Sequence, residues 1–140
     1  MCFNEQFPKL FGGKKAISTI YVLDSDLAGN IAIGGGSKDA DIINKADGIE
    51  KPLILFYSPD LLLVWAKRVF TGNAIRVAAI KFNLKLNNKI LVVLDSNPIT
   101  VMIVSATDGK ALFVYSTDFP GVLPHSILYD ENGNFYLMMD

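Results

Sequence analysis

Apolar positions along this chain come in short runs rich in Ile, Val, Leu, Phe and Tyr. Nearly every break between runs carries Gly, Asn, Asp, Ser or Pro. Runs of this length, β-branched and aromatic and bounded by turn formers, predict β-strands. The first group opens with a strand over 17–23. A hairpin turn follows at Ala28-Gly29-Asn30, where Gly29 and Asn30 both tolerate positive φ. A short strand over 31–33 is closed by Gly34-Gly35-Gly36-Ser37, and a polar loop occupies 38–51. A third strand over 53–57, a Ser58-Pro59-Asp60 turn and a run over 62–70 complete the group. That last run also suits a helical face through Leu62, Trp65 and Val69. The turn before it and the Thr71-Gly72-Asn73 break after it favour a strand.

The order then repeats. Strands are expected over 75–82, 90–94, 99–104 and 111–115, with turns at Asn87-Asn88, Asp95-Ser96-Asn97-Pro98 and Thr107-Asp108-Gly109-Lys110. A third group holds strands over 125–129 and 135–139 around the turn Asp130-Glu131-Asn132-Gly133-Asn134. Hairpin turns near Gly29, Asn88 and Gly133 recur at intervals of about 59 and about 45 residues, the longer one carrying the polar loop. Four strands per period point to β-propeller blades. Apolar runs without alternation, such as 99–104, suit strands covered on both faces. The expected class is therefore all-β, with about two and a half four-stranded antiparallel blades. A tail, or a strand docking on a neighbour, spans 1–15. One blade spans 16–72, a second 73–119, and the first half of a third 120–140.

A propeller usually needs about 4 to 8 blades to close. The reading therefore implies either a longer parent chain or several copies that complete one another. Open strand edges and uncovered blade faces would invite association in both cases.

Two stretches carry a resemblance. Asp24-Ser25-Asp26-Leu27-Ala28-Gly29-Asn30-Ile31 and Tyr129-Asp130-Glu131-Asn132-Gly133-Asn134-Phe135-Tyr136 resemble the D-x-x-G-N β-propeller repeats abbreviated SBBP. The run Leu62-Leu63-Val64-Trp65-Ala66-Lys67-Arg68 is similar to that family's closing strand, in which a Trp-Ala or Trp-Ser pair is common. The middle group departs, with Asn87-Asn88-Lys89 in place of the Gly-Asn turn. Ala106-Thr107-Asp108-Gly109-Lys110 looks instead like the turn of quinoprotein-type propellers, without their usual Trp. The resemblance implies a propeller fold with WD-repeat-like character. It also implies a scaffolding role, in the manner of surface and secreted proteins, so an extracellular or cell-surface location is the expectation.

Composition changes little of this. Hydrophobic residues make up 51% and charged residues 19%, which is enough for a core. A formal net charge of -1 leaves no basic excess for phosphate neutralisation, so no nucleic-acid partner is expected. The single Cys2 excludes a disulfide within the chain, and the single His125 excludes a multi-histidine metal site. Residues 1–15 lack the apolar core of a signal peptide. The most apolar stretch, 53–70, is broken by Pro59-Asp60, so no membrane span is expected. Asn-x-Ser/Thr acceptors are absent.

Candidate chemistry is sparse. Asp39 and Asp41, with Asp47, form an acidic loop that reads chiefly as a solvated insert; its alternating carboxylates could also hold calcium, although the EF-hand pattern is absent. Gly34-Gly35-Gly36-Ser37-Lys38 lacks the Gly-Lys-Ser/Thr order of a phosphate loop, and glycines at a bulge or a close blade contact explain it better. Asp24, Asp26, Asp95 and Asp130 could supply an acid/base pair, but Asp at such turns more commonly bonds nearby N–H groups. His125 has no nucleophile motif beside it, and Trp65 reads as a packing residue. Gly29, Asn30, Asn88, Gly109, Gly133 and Asn134 are assigned to structural turns. No catalytic residue and no cofactor are expected. The function expected first is a non-enzymatic scaffold for a protein or glycan partner. Structural self-assembly through open blade edges is the second reading, and part of a quinoprotein-like or lyase-like enzyme the third.

Overall fold

The computed structural model describes residues 16–43, 48–69, 72–83, 85, 88–130 and 132–140. The chain is all-β, apart from one helical turn, α1 (Ala40–Ile43), within the polar loop. Four strands, β1 (Ser18–Ser25), β2 (Ile31–Ser37), β3 (Lys51–Tyr57) and β4 (Leu63–Arg68), form one antiparallel sheet in sequence order. A second antiparallel sheet repeats that order with β5 (Arg76–Phe82), β6 (Lys89–Asp95), β7 (Thr100–Ser105) and β8 (Ala111–Ser116). A third holds β9 (Pro124–Tyr129) and β10 (Phe135–Met139). No closed ring of sheets is seen among the described residues. The second sheet lies between the other two, with β5 against β1 and β2 on one side and against β9 on the other.

This central position explains the apolar runs. Ile90, Val92 and Leu94 join Ala32, Ile54, Phe56, Val77, Ile80 and Phe82 in a core between the first and second sheets. Leu91 and Val93 point the other way, into a core with Ala79, Ile99, Val101 and Ile127. Every position from Ile90 to Leu94 is buried because successive side chains face different sheets, each supplying a core.

The structure corrects the second strand, expected to end at Ile33. The pairing of β2 with β3 continues without interruption through the glycines to Ser37. A Cβ on Gly34 would lie 2.4 Å from Val77 Cγ1 and 2.8 Å from Val22 Cγ2. One on Gly35 would lie 2.2 Å from the Thr19 carbonyl oxygen, beside the bulge between Ile20 and Val22 in β1. These glycines do not break the strand; they let β1, β2 and β5 approach closely. The run 62–70 is a strand in its middle, Leu63–Arg68, as the bracketing turns required.

Side chains tie the first two sheets together at one end of the strands, where Asp24, Ala32, Phe56 and Trp65 lie side by side across the first sheet. Trp65 stacks on Phe56 with ring centroids 5.3 Å apart, and its indole N–H donates to the Ala106 carbonyl at 2.8 Å. Asp24 on β1 takes the Lys81 ammonium at 2.8 Å and the Phe82 backbone N–H at 2.8 Å, both on β5.

Leu61 closes the Ser58-Pro59-Asp60 turn at φ 59°, donating its N–H to the Ser58 carbonyl at 2.9 Å. A leucine in the left-handed region costs about 1 kcal/mol more than asparagine, whose short side chain tolerates it. Leu61→Asn is therefore expected to raise stability by about 0.5–1 kcal/mol, read as a higher urea midpoint at unchanged slope. A lower midpoint would show that Leu61 contributes packing exceeding its backbone strain.

Candidate functional site

The two D-x-x-G-N stretches fold into the same object. In the first, Asp26 Oδ1 accepts the N–H groups of Ala28 at 3.0 Å and Asn30 at 2.8 Å, while Oδ2 accepts Asn30 Nδ2 at 2.7 Å. In the second, Asp130 Oδ1 accepts the N–H groups of Asn132 and Asn134, both at 2.8 Å, and Oδ2 accepts Asn134 Nδ2 at 2.8 Å. Gly29 at φ 86° and Gly133 at φ 85° occupy the same position in each. The carboxylate mimics a turn of backbone and leaves the glycine to take the conformation closed to other residues. In the middle sheet Asn83 stands in for the aspartate: its N–H donates to the Lys89 carbonyl at 3.0 Å and its Oδ1 accepts the Lys85 N–H at 3.1 Å, across a longer loop.

The Asn134 amide, with the Asn134 and Asn132 N–H groups and the Tyr136 hydroxyl, holds the Asp130 carboxyl below the ordinary carboxylate range. A folded value below the unfolded one contributes stability above the unfolded value, lost as pH falls through the folded one. The third hairpin is therefore expected to loosen below about pH 4. Amide exchange at Asn132 and Asn134 should accelerate there, while Asp130→Asn should exchange fast at all pH values. Unchanged protection at pH 3 would rule this out.

The remaining sequence candidates are dispersed. Asp24 is engaged by Lys81, Asp95 by Arg76 at 2.8 Å, and Asp26 and Asp130 by their own turns, so each carboxylate has a structural partner. The structure corrects the expectation that Asp39 lies in a solvated loop. Asp39 is fully buried, and its Oδ2 accepts the Ala16 N–H at 2.6 Å, while its own N–H donates to Ser37 Oγ at 3.0 Å. The Asp41 backbone lies in α1, and Asp47 lies outside the described residues. Among the described residues no three acidic, His or Cys side chains gather as metal ligands. His125 is exposed and bonds the Asp140 carboxylate. Asn88 precedes β6 and its carbonyl accepts the Ala106 N–H at 2.7 Å; Asn87 lies outside the described residues. Gly109, at φ 69°, sits under Trp65, where a Cβ would lie 2.8 Å from the ring.

Polar side chains do converge at the opposite end of the strands. Asn73, in the connection from β4 to β5, and Asn97, in the turn from β6 to β7, form a reciprocal pair. Asn73 Nδ2 donates to the Asn97 carbonyl, and Asn73 Oδ1 accepts the Asn97 N–H, both at 3.0 Å. Asn97 Oδ1 then accepts the Gly121 N–H at 3.1 Å, in the connection from β8 to β9. One asparagine thus ties together three loops that sequence separates. Beside it runs a hydroxyl ladder: Ser96 Oγ donates to Thr100 Oγ1 at 3.1 Å, and Thr100 Oγ1 lies 3.3 Å from Ser116 Oγ.

Two open cavities flank the amide pair. The larger, about 400 Å³, is lined by Asn73, Ser96, Asn97, Thr100, Val114 and Ser116 among others and has no charged residue. The other, about 300 Å³, shares Asn73, Ser96 and Asn97 and adds Ile75, Asp95 and Val122. Behind them Arg76 bonds Asp95 and lies 4.9 Å from the centre of the Tyr21 ring, whose hydroxyl donates to Glu50 Oε1 at 3.1 Å. Partial burial works to lower the Arg76 pKa, but its Tyr21 and Asp95 partners together raise it above its ordinary value. The sequence marked Asn73 and Asn97 only as loop breaks. Asparagines in two breaks 24 positions apart, about half a repeat, were the available signal.

No protein-family model and no curated protein sequence matches this chain. Among the described residues no helix is long and apolar enough to cross a membrane.

Proposed function

We propose that the chain is a run of β-propeller blades acting as a non-enzymatic recognition scaffold. The blade reading is supported by consecutive meandering sheets stacked face to face and by the two superimposable Asp-Asn turns. The partner, a protein segment or a glycan, docks at the loop end around Asn73 and Asn97. The observation that carries this is the uncharged cavity lined by two amides and three hydroxyls. Such a lining matches a neutral ligand with its own donors and acceptors and offers no counter-charge to an ionic one. Among the described residues Oδ1 alone of the Asn97 amide is engaged, which leaves the Nδ2 hydrogens to such a ligand. Strands fix the loops that present these groups, so little ordering opposes binding.

The test is a screen of the labelled chain on arrays of neutral glycans and of uncharged peptides, followed by titration of the strongest ligand. Asn97→Asp, which keeps the Oδ1 acceptor and removes both free hydrogens, should weaken binding at least tenfold. Glu50→Gln, outside the cavity lining, should not. Equal binding by Asn97→Asp would sink the assignment of the site. Absence of any ligand on both arrays would sink the recognition role.

A further inference from the structure

The second sheet ends in a strand with no protection. In β8 (Ala111–Ser116) all six residues are exposed, although Leu112, Phe113, Val114 and Tyr115 are large and apolar. Strand order puts β8 at the margin of its sheet. Among the described residues its outer backbone groups have no partner. Natural edges of this kind are usually guarded by charge, because a strand that pairs there must strip water from the charged group. The matching outer strand of the first sheet is guarded in that way, with Lys67 and Arg68 exposed at its end. The strand β10 is half engaged, since Leu137 and Met139 pack on the second sheet. Among the described strands only β8 combines a free edge, no charged residue and exposure at every position.

These features specify the occupant as another β-strand: uncharged, apolar on both faces and itself lacking a partner. Among the described edge strands β8 alone is uncharged and exposed along its whole length, so the occupant that matches is β8 of a second copy. We propose that two copies associate through antiparallel β8–β8 pairing about a twofold axis perpendicular to the sheet, giving one continuous eight-stranded sheet. That axis keeps each face on its own side. Phe113 and Tyr115 of one copy therefore border Phe113 and Tyr115 of the other, and Leu112 and Val114 do so on the reverse face. The edge is roughly 20 Å long. It offers less than the roughly 800 Å² per partner of a standard interface, so a dimer dissociating at about 10–100 μM is expected. Val114 and Ser116 of β8 also line the uncharged cavity, so Tyr115→Lys, on the other face of the strand, is the variant that separates pairing from recognition.

Sedimentation velocity on the 140-residue chain from about 1 μM to about 1 mM tests this across the expected dissociation range. The mass should rise from 15.3 kDa to a plateau at twice that value. Val114→Lys and Tyr115→Lys, on opposite faces, should each hold the mass at 15.3 kDa throughout, with unchanged far-ultraviolet dichroism. Val64→Lys, on β4, should dimerise as the parent does. A parent chain monomeric at the highest concentration would overturn the proposal. So would dimers of both β8 variants equal to the parent's, or growth past the dimer without a plateau. Ligand binding by a monomeric chain would leave the recognition reading intact, so the two fail separately.

Discussion

Gly34→Ala is expected to destabilise the protein by about 3 kcal/mol, a large share of the 5–15 kcal/mol that holds a domain of this size together. The added methyl would lie 2.8 Å from Val77 Cβ and 2.4 Å from Val77 Cγ1. Rotating the valine relieves the second contact but not the first, because Cβ is fixed by the backbone. The sheets must then separate, and the core shared by Val22, Ala32, Val77 and Ile80 loses its packing density. Gly34→Val should leave no folded protein at 37 °C. Urea unfolding gives the size of the effect, and the double variant Gly34→Ala/Val77→Gly gives its cause. Removing the valine side chain should recover at least 1 kcal/mol of the Gly34→Ala loss when measured against Val77→Gly alone. Strict additivity would show that the alanine acts elsewhere.

Trp65→Ala should cost about 3 kcal/mol, although the indole is only half-buried. Three contacts go together: the stack on Phe56, the cover over Gly109 and the hydrogen bond to Ala106. The last two join the outer part of the first sheet to the β7–β8 turn of the second, so much of the loss falls on the junction between sheets. Trp65→Phe preserves the stack and removes the indole donor. It should cost about 1 kcal/mol, the usual net value of one such bond. Unfolding followed by circular dichroism separates the two variants, since Trp65 is the only tryptophan. Equal midpoints for Trp65→Phe and Trp65→Ala would mean that the hydrogen bond, not the ring, joins the sheets.

Strand positions were largely legible because period and punctuation are local properties. Ile31, Ala32 and Ile33 read as a strand from their own side chains. The glycines after them read as its end, because nothing in a string of glycines reveals a valine on another sheet. Likewise Asp39 reads as a solvated loop residue, since the Ala16 N–H that it accepts lies 23 positions away in sequence. The uncharged cavity was least legible: Asn73, Asn97 and Gly121 each look like an ordinary loop residue, and only the stacking of three sheets makes them neighbours.

Sequence by itself determined the all-β class, the grouping of the strands and the turns built on Asp26-Asn30 and Asp130-Asn134. Each of these depends on residues within a few positions of one another, where side-chain period and self-bonding carboxylates act directly on the backbone. Tertiary structure alone decided which apolar strands are covered and which are bare. The alternating faces of Ile90–Leu94 are buried because two other sheets supply cores for them. The equally apolar Leu112–Tyr115 stands exposed because, among the described residues, neither neighbouring sheet covers its faces as they cover β5 at the other margin. Hydrophobicity sets the tendency to be covered, and topology determines what is there to cover it.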